Sequence, residues 1–133
     1  MRRRGFTLIE LLVVLAISSL LAAVALPSML HRLTMARRGD ATLALERLQI
    51  AQERHRALTG LYAGDPAALG IASRSPQGLY ALSLSVGNDE RYLAVARPLA
   101  GGVQADDSEC AEITLQVVQG FATAGPSRRC WNR

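Results

Sequence analysis

Three groups of residues in this sequence carry charged or reactive side chains in unusual settings. Glu10 is the one ionisable residue within an apolar run, residues 6–30. Two cysteines, Cys110 and Cys130, lie near the C-terminus. The segment "DDSE" at 106–109 brings three carboxylates together. These residue types suggest, in turn, an ion pair at the edge of a membrane, a disulfide and a calcium loop.

The carboxylate of Glu10 needs an explanation because a charge is costly in lipid. The apolar run is long enough to cross a bilayer core, which requires about 20 residues in a helix. An acidic residue costs roughly 2.5 to 3.5 kcal/mol at the centre of such a helix and less near an end. Three arginines at residues 2–4 precede the run, and Glu10 is close to this cytoplasmic edge. A carboxylate kept there should have a cationic partner.

Three interpretations of this N-terminus compete. The first is a plain transmembrane anchor. The second is a secretory signal peptide, for which "AVA" at residues 23–25 would be a small-x-small cleavage site. Both leave Glu10 without a role. The third is a precursor whose short leader ends at Gly5, and it depends on a family resemblance.

The segment "GFTLIELLVVLAI", residues 5–17, resembles the N-terminus of type IV pilins and related pseudopilins. The shared features are a short basic leader ending at Gly5, a following Phe6, a glutamate at the fifth position after the cut, and a continuing apolar helix. The resemblance implies that a prepilin peptidase cuts between Gly5 and Phe6 and methylates the new amino group of Phe6. It also implies that Glu10 guides subunits into a filament.

Cleavage would supply the partner that Glu10 lacks. It creates an ammonium group at Phe6, and the ammonium of a neighbouring subunit can pair with the Glu10 carboxylate in a low-dielectric setting. Because that partner is on another chain, the pair would set the register of assembly. The prepilin interpretation is therefore preferred over the plain anchor and the signal peptide.

One long helix is predicted to carry these residues. Pro27 lies inside it and should kink it, because proline cannot donate a hydrogen bond to the carbonyl of Ala23. In the family that the sequence resembles, a proline at this place and local unwinding near it are common. From residue 31 to about residue 59 the helix is predicted to be amphipathic, with Gly60 as its stop. Its expected apolar face is Ala41, Leu45, Leu48, Ala51, His55, Leu58 and Tyr62, and its expected polar residues include Arg37, Arg38, Glu46, Arg47, Glu53, Arg54 and Arg56.

After a loop at residues 61–78 the periodicity becomes that of strands. Three strand segments are predicted, at 79–86, 91–98 and 111–118. A small sheet cannot bury both faces alone, so one face should pack on the apolar face of the helix. The predicted fold class is α+β, a long N-terminal helix with a C-terminal antiparallel sheet of three to four strands. The predicted divisions are a leader (1–5), a transmembrane half of the helix (6–30), an amphipathic half (31–60) and a globular region (61–133).

The two cysteines are predicted to pair. An even count behind a membrane-targeting segment indicates an oxidising compartment, although two free buried thiols are the alternative. No histidine is near either cysteine in the sequence, so a zinc site has little support. The acids at 106–109 are expected to be solvated, since the EF-hand pattern is missing. We expect no metal, no cofactor and no enzymatic activity.

The C-terminal half resembles minor pilins of the PilE type. The matching features are a strand ending in Pro98, an acidic stretch before Cys110, Gly120 after the third strand, and the terminal pair "CW" at Cys130 and Trp131. Many major pilins are longer between helix and sheet, which favours a minor subunit. The resemblance implies a precursor in the inner membrane with a periplasmic C-terminal region, later part of the pilus. Its implied partners are other pilins, the prepilin peptidase and the pilus assembly machinery.

Two other functions remain open. One is a type II secretion pseudopilin, although the cysteine pair and the "CW" ending favour a pilin. The other is a DNA-binding competence pilin, in which basic residues would contact phosphates and Trp131 would stack on bases. Residues 31–133 carry 12 arginines and 10 acids, a net charge of only +2. The arginines considered for this patch are Arg74, Arg91, Arg97, Arg128, Arg129 and Arg133.

Overall fold

The computed structural model describes residues 5–88 and 90–132. The chain forms one long helix followed by four strands, with two short 3₁₀ helices, Pro66–Leu69 and Ser108–Cys110, in the connections. The α+β prediction is therefore confirmed. The chain divides into two compact units, Met1–Leu33 and Thr34–Arg133. The main elements are α1 (Leu8–Thr59), β1 (Tyr80–Asn88), β2 (Arg91–Pro98), β3 (Ile113–Val118) and β4 (Phe121–Gly125).

The first unit contains the apolar half of α1. Thr7 caps the start of the helix, because its Oγ1 accepts a hydrogen bond from the Glu10 N–H at 3.3 Å. The Thr7 carbonyl accepts a second bond from the Leu11 N–H at 3.2 Å. The helix is continuous through Pro27. The kink expected at this proline stays a prediction.

The four strands form an antiparallel sheet in the order β1-β2-β3-β4. One row of paired residues crosses the whole sheet: Val86, Tyr92, Val117 and Ala122. The three predicted strands are present, although β3 begins at Ile113, two residues later than expected. The position of β4 was not predicted. None of its five residues is buried, so they lack the alternation that marks a half-buried strand.

The inner face of the sheet and one face of α1 form a single buried cluster in the second unit. Leu45 and Leu48 of the helix are fully buried, and each such side chain contributes roughly 1.5 to 3 kcal/mol through burial. The expected packing of the sheet on the helix is therefore confirmed. The strands contribute Tyr80, Leu82, Tyr92, Ala94, Ala96, Ile113, Leu115 and Val117.

The buried face of α1 departs from the prediction near the end of the helix. Leu58 was expected on the apolar face but is 82% exposed, and Ala51 and His55 are only half-buried. The buried residue at this level is Gln52. Its Nε2 donates to the carbonyl of Ala63 at 2.7 Å, and its Oε1 accepts from the Ala63 N–H at 2.8 Å. A glutamine is buried here because the chain after the helix satisfies both ends of its amide.

Candidate functional site

The apolar half of α1 is exposed along its whole length. Every large apolar side chain from Phe6 to Leu30 is more than half exposed. By length and composition α1 is able to cross a membrane, with a mean hydropathy of 2.6 in its most apolar window of 18 residues. Monomeric soluble proteins rarely expose apolar patches larger than a few hundred Å². An apolar surface of this length is typical of a helix that lies in lipid or against other chains.

Gly5, Phe6 and Glu10 lie at the start of this surface. Gly5 and Phe6 precede α1, and both are exposed, so the peptide bond between them belongs to an open, non-helical segment. Glu10 lies in the first turn of α1, where the partial positive charge of the helix N-terminus favours a carboxylate. Within residues 5–88 and 90–132, Glu10 has no ion pair, so its side chain remains available to a cation from outside these residues.

A second cluster lies around Arg38, and here the sequence-based prediction was wrong. Arg38 was expected on the polar side of α1 and is 1% exposed. The acids of 106–109 were expected in solvent; Asp106 and Glu109 are exposed, but Asp107 is buried. The Arg38 Nε donates to the Asp107 Oδ2 at 2.8 Å, and its Nη2 donates to the Asp107 Oδ1 at 2.7 Å. The Asp107 side chain is only 3% exposed. This two-point contact is the geometry in which arginine binds a carboxylate most strongly.

Glu109 extends the cluster toward the surface. Its Oε2 accepts a bond from the Arg38 Nη2 at 2.9 Å, and its Oε1 lies 3.6 Å from the Arg129 Nη1. The bond from Arg38 holds the pKa of Glu109 below its ordinary value, and Arg129 acts in the same direction. The bond to Asp107 raises the pKa of Arg38 although burial opposes this. The guanidinium and Glu109 are therefore both charged at neutral pH.

A metal site at these acids does not fit the structure. Asp107, Glu109 and Cys110 bring potential ligand atoms within 4.8 Å of one another. The Cys110 sulfur, however, is part of a disulfide, and both carboxylates bind the guanidinium of Arg38. A bound arginine already supplies the positive charge that a cation would bring. In the described part of the chain this cluster is an ion-pair network that joins α1 to the loop before β3.

Three further hydrogen bonds link the C-terminal region and this loop to the rest of the second unit. The Gln104 Nε2 donates to the Thr34 carbonyl at 3.2 Å and to the Tyr80 Oη at 2.9 Å. The Asn132 Nδ2 donates to the Met35 carbonyl at 3.0 Å. Burial raises the pKa of the Tyr80 hydroxyl, so it stays protonated and accepts the bond from the amide. The bonds to Thr34 and Met35 hold both segments beside the start of the second unit's part of α1, and the bond to Tyr80 ties Gln104 to β1.

The predicted disulfide is confirmed. Cys110 and Cys130 are joined with 5.6 Å between their Cα atoms. The bond ties the C-terminal tail to the short helix that precedes β3. Trp131 follows it, is 5% exposed, and donates from Nε1 to the Gly125 carbonyl at 2.9 Å. The indole is therefore part of the core and does not offer the stacking surface that the DNA-binding alternative would use.

The arginines considered for DNA contact differ in their surroundings. Arg97 pairs with Glu112 at 2.8 Å, and Arg129 lies near Glu109, so their charges are partly matched. Arg74, Arg91 and Arg128 are exposed, whereas Arg133 lies outside the described residues.

Arg74 also lines an open groove that the sequence did not reveal. Its volume is about 280 Å³, and Arg47 of α1 lies on the same groove. Leu82 and Ile71 form part of its apolar lining. The groove brings together two arginines that are 27 positions apart, and neither has an ion pair within the described residues. A pattern search along one helix or strand has no means of finding such a pair.

Comparison with known proteins supplies the family. Residues 27–114 match the family described as "Type IV minor pilin ComP, DNA uptake sequence receptor", and residues 1–26 match the prokaryotic N-terminal methylation motif. The type IV major pilin protein PilE of Neisseria gonorrhoeae is 37% identical over 87 residues, which cover 65% of this chain and 52% of that protein. The fimbrial protein of Neisseria meningitidis serogroup B (strain ATCC BAA-335 / MC58) is also 37% identical over 87 residues, 65% of this chain and 51% of its own length.

The chain spans about half the length of the curated relatives it matches. The family match nevertheless extends over more than half of this chain, from the apolar half of α1 into β3. The methylation motif covers the segment that contains Gly5, Phe6 and Glu10. Together with the long helix, the four-stranded sheet and the C-terminal disulfide, these matches confirm the expected relationship to pilins. This chain belongs to the type IV minor pilin ComP family.

Proposed function

We propose that this minor pilin is made as a precursor in the inner membrane, cut after Gly5, and incorporated into the pilus through α1. The observation that carries the proposal is the continuous exposure of the apolar side chains of residues 6–30. In the precursor this surface would lie in lipid, with the C-terminal unit in the periplasm. In the fibre it would lie against the helices of other pilins. The prepilin peptidase and the inner-membrane assembly machinery are the expected partners in between.

Glu10 would direct incorporation by pairing with the amino group of Phe6 on a neighbouring subunit. The first turn of α1 favours the carboxylate, but within residues 5–88 and 90–132 nothing neutralises it. A buried charge without a partner is strongly unfavourable, whereas a paired charge recovers much of its desolvation cost. The pairing would therefore favour one register between subunits over all others.

Processing is tested by mass spectrometry of the protein purified from pili. The expected N-terminus is Phe6 carrying one added methyl group. An intact leader would contradict the proposal, as would an N-terminus after Ala25, which is where a signal peptidase would cut the precursor.

The role of Glu10 is tested by Glu10→Leu. Insertion into the membrane should stay intact or improve, because a costly charge is removed. Incorporation into pili should fall. Thr7→Ala is the matched control, since it removes the hydrogen bond to the Glu10 N–H but keeps the carboxylate. If Thr7→Ala lowers incorporation as much as Glu10→Leu does, the glutamate acts through the local helix cap and the pairing proposal fails.

A second proposed function is DNA binding, which the description of the matched family favours. Phosphate contacts need accessible arginines whose charge is unmatched. The groove supplies two such arginines, Arg47 of α1 and Arg74 of the loop before β1. Arg97, which already pairs with Glu112, would contribute less. Because Trp131 is buried, it is not available for base stacking.

The test is retention of the detergent-solubilised protein on immobilised duplex DNA at several salt concentrations. Arg47→Gln with Arg74→Gln should weaken retention, and the slope of log affinity against log salt should fall by about one for each phosphate that the variant no longer binds. Arg97→Gln is the control and should change both quantities less. If the double variant and Arg97→Gln have equal effects, the groove is not the site of DNA contact. If the protein is not retained on DNA at low salt, the proposal of DNA binding is wrong.

A further inference from the structure

In the folded unit, α1 carries a second apolar stripe on the side facing away from the sheet. Leu43 is 42% exposed and Ile50 is 67% exposed. At about 100° per residue, they point roughly opposite to the buried Leu45 and Leu48. The outer side of a helix packed on a sheet is normally polar. With the exposed alanines seven positions away at each end, these residues form the outer stripe: Ala36, Leu43, Ile50 and Ala57.

Charged residues of opposite sign flank the outer stripe. Glu46 and Glu53 follow Leu43 and Ile50 by three positions and lie on one side of it. The flank on the other side is formed by two arginines, Arg47 and Arg54, which follow by four positions. All three rows therefore repeat every seven residues. A coiled-coil seam has two apolar positions in every seven residues, whereas this row has one, so the row offers a narrow apolar contact whose charged flanks determine which surface it fits.

We propose that the outer stripe pairs with the same stripe of a second copy of this chain, with the two helices parallel. In a parallel pair related by a two-fold axis, the glutamate side of one helix lies next to the arginine side of the other. In an antiparallel pair, glutamates would meet glutamates and arginines would meet arginines, which is unfavourable. The charge pattern thus selects the parallel arrangement.

The pairing rests on the proposed incorporation into a membrane and then a pilus. Parallel α1 helices are the arrangement of subunits that all enter from one membrane. Each exposed ion pair contributes little to the free energy of association, so two copies of the second unit in dilute solution should remain monomeric. Two helices held in one membrane have a high effective concentration, and weak contacts then suffice for association. Leu43 and Ile50 would supply the apolar layers between the helices.

Crosslinking in the membrane tests whether the stripes meet. Full-length protein carrying Ile50→Cys is treated with a short bismaleimide in native membranes. The native cysteines stay unreactive because they form a disulfide. Ser85→Cys, an exposed position in β1, is the matched control. The proposal expects a covalent dimer with the cysteine at position 50 and little at position 85. Equal dimer at the two positions would overturn it.

Charge reversal tests the orientation. In the Ile50→Cys protein, the acid-reversed variant combines Glu46→Arg with Glu53→Arg, and the base-reversed variant combines Arg47→Glu with Arg54→Glu. Each variant alone should give about tenfold less dimer, because every flank contact becomes repulsive. The two variants expressed together, with tags of different mass, should restore the yield as a mixed dimer. Unchanged yields in the single variants, or no restoration in the mixture, would overturn the proposal.

Two further readouts keep the outcomes distinct. Glu53 accepts a hydrogen bond from the Tyr62 Oη at 3.2 Å, so the acid-reversed variant could perturb the fold. The base-reversed variant changes only exposed arginines, and its smaller yield of dimer tests the proposal independently. Dimer is also measured separately in membranes and in sheared pili. Dimer in membranes without protein in pili would contradict the proposed incorporation alone, whereas normal incorporation without dimer in either fraction would contradict the pairing alone.

Discussion

Replacing Arg38 with methionine should destabilise the folded unit more than any change to an exposed arginine. Arg38→Met keeps an unbranched apolar stem but removes three hydrogen bonds to carboxylates. Glu109 is 42% exposed on its side chain, so water can replace its bond. Asp107 is 3% exposed, so its carboxylate would remain buried without its partner. Most of the lost stability therefore comes from the buried Asp107 carboxylate that is left without a partner.

The size of the effect follows from that burial. Removing one member of a buried ion pair costs about 3 to 5 kcal/mol, because the other charge stays desolvated. For a unit of this size, each kcal/mol lowers the midpoint temperature of unfolding by about 4 to 8 °C, so Arg38→Met should lower it by at least about 12 °C. Arg97→Met breaks the exposed pair with Glu112 and should cost about 0 to 1 kcal/mol.

Thermal unfolding of the detergent-solubilised chain, followed by tryptophan fluorescence, is the suitable assay. Trp131 is the only tryptophan and lies in the core of the second unit, so the apolar half of α1 adds no signal. The double variant Arg38→Met with Asp107→Leu removes both buried charges and should recover much of the stability that Arg38→Met removes. The reasoning is refuted if Arg38→Met unfolds at the same temperature as Arg97→Met, or if the double variant is less stable than Arg38→Met.

Three other predictions concern the same unit. The pKa of Glu109 is held below its ordinary value of 4.5, so its stabilising contribution is present at neutral pH and disappears as the pH falls through the folded-state pKa. Glu109→Gln lacks this contribution at every pH, so its free energy of unfolding should fall less steeply with acidification, as measured by urea titrations at several pH values. In urea titrations, Tyr92→Phe should leave stability unchanged or raise it, because the buried Tyr92 hydroxyl has no hydrogen-bond partner in the described chain. Tyr80→Phe is its comparison, since it removes a bond from Gln104 and should cost about 1 kcal/mol. Cys130→Ser should lower the free energy of unfolding by up to about 3 kcal/mol. In the native protein, peptide mapping after alkylation without reduction should find neither thiol modified, and two modified thiols would contradict the bridge.

Features that depend on residues close together along the chain could be derived from the sequence. The apolar run of residues 6–30 is a property of composition, and the helix indeed extends to Thr59, one position before Gly60. The three strands with inward apolar residues were located because alternation is a local signal. The cysteine pairing followed from their number and the exported setting. The strand β4 was missed because all its side chains lie outside the core and its pairing partner, β3, determines its conformation.

The polar contacts inside the folded unit required the tertiary structure. Arg38 and Asp107 are 69 positions apart, and nothing in either local segment indicates that they meet. Arg38 follows the helical spacing of the buried face, but its charge assigned it to solvent. The burial of Gln52 and Trp131 likewise depends on backbone groups that satisfy their polar side-chain atoms, those of Ala63 for Gln52 and of Gly125 for Trp131. Periodicity reports which side of an element faces inward, whereas the burial of a polar group depends on partners that only the folded chain brings within hydrogen-bonding distance.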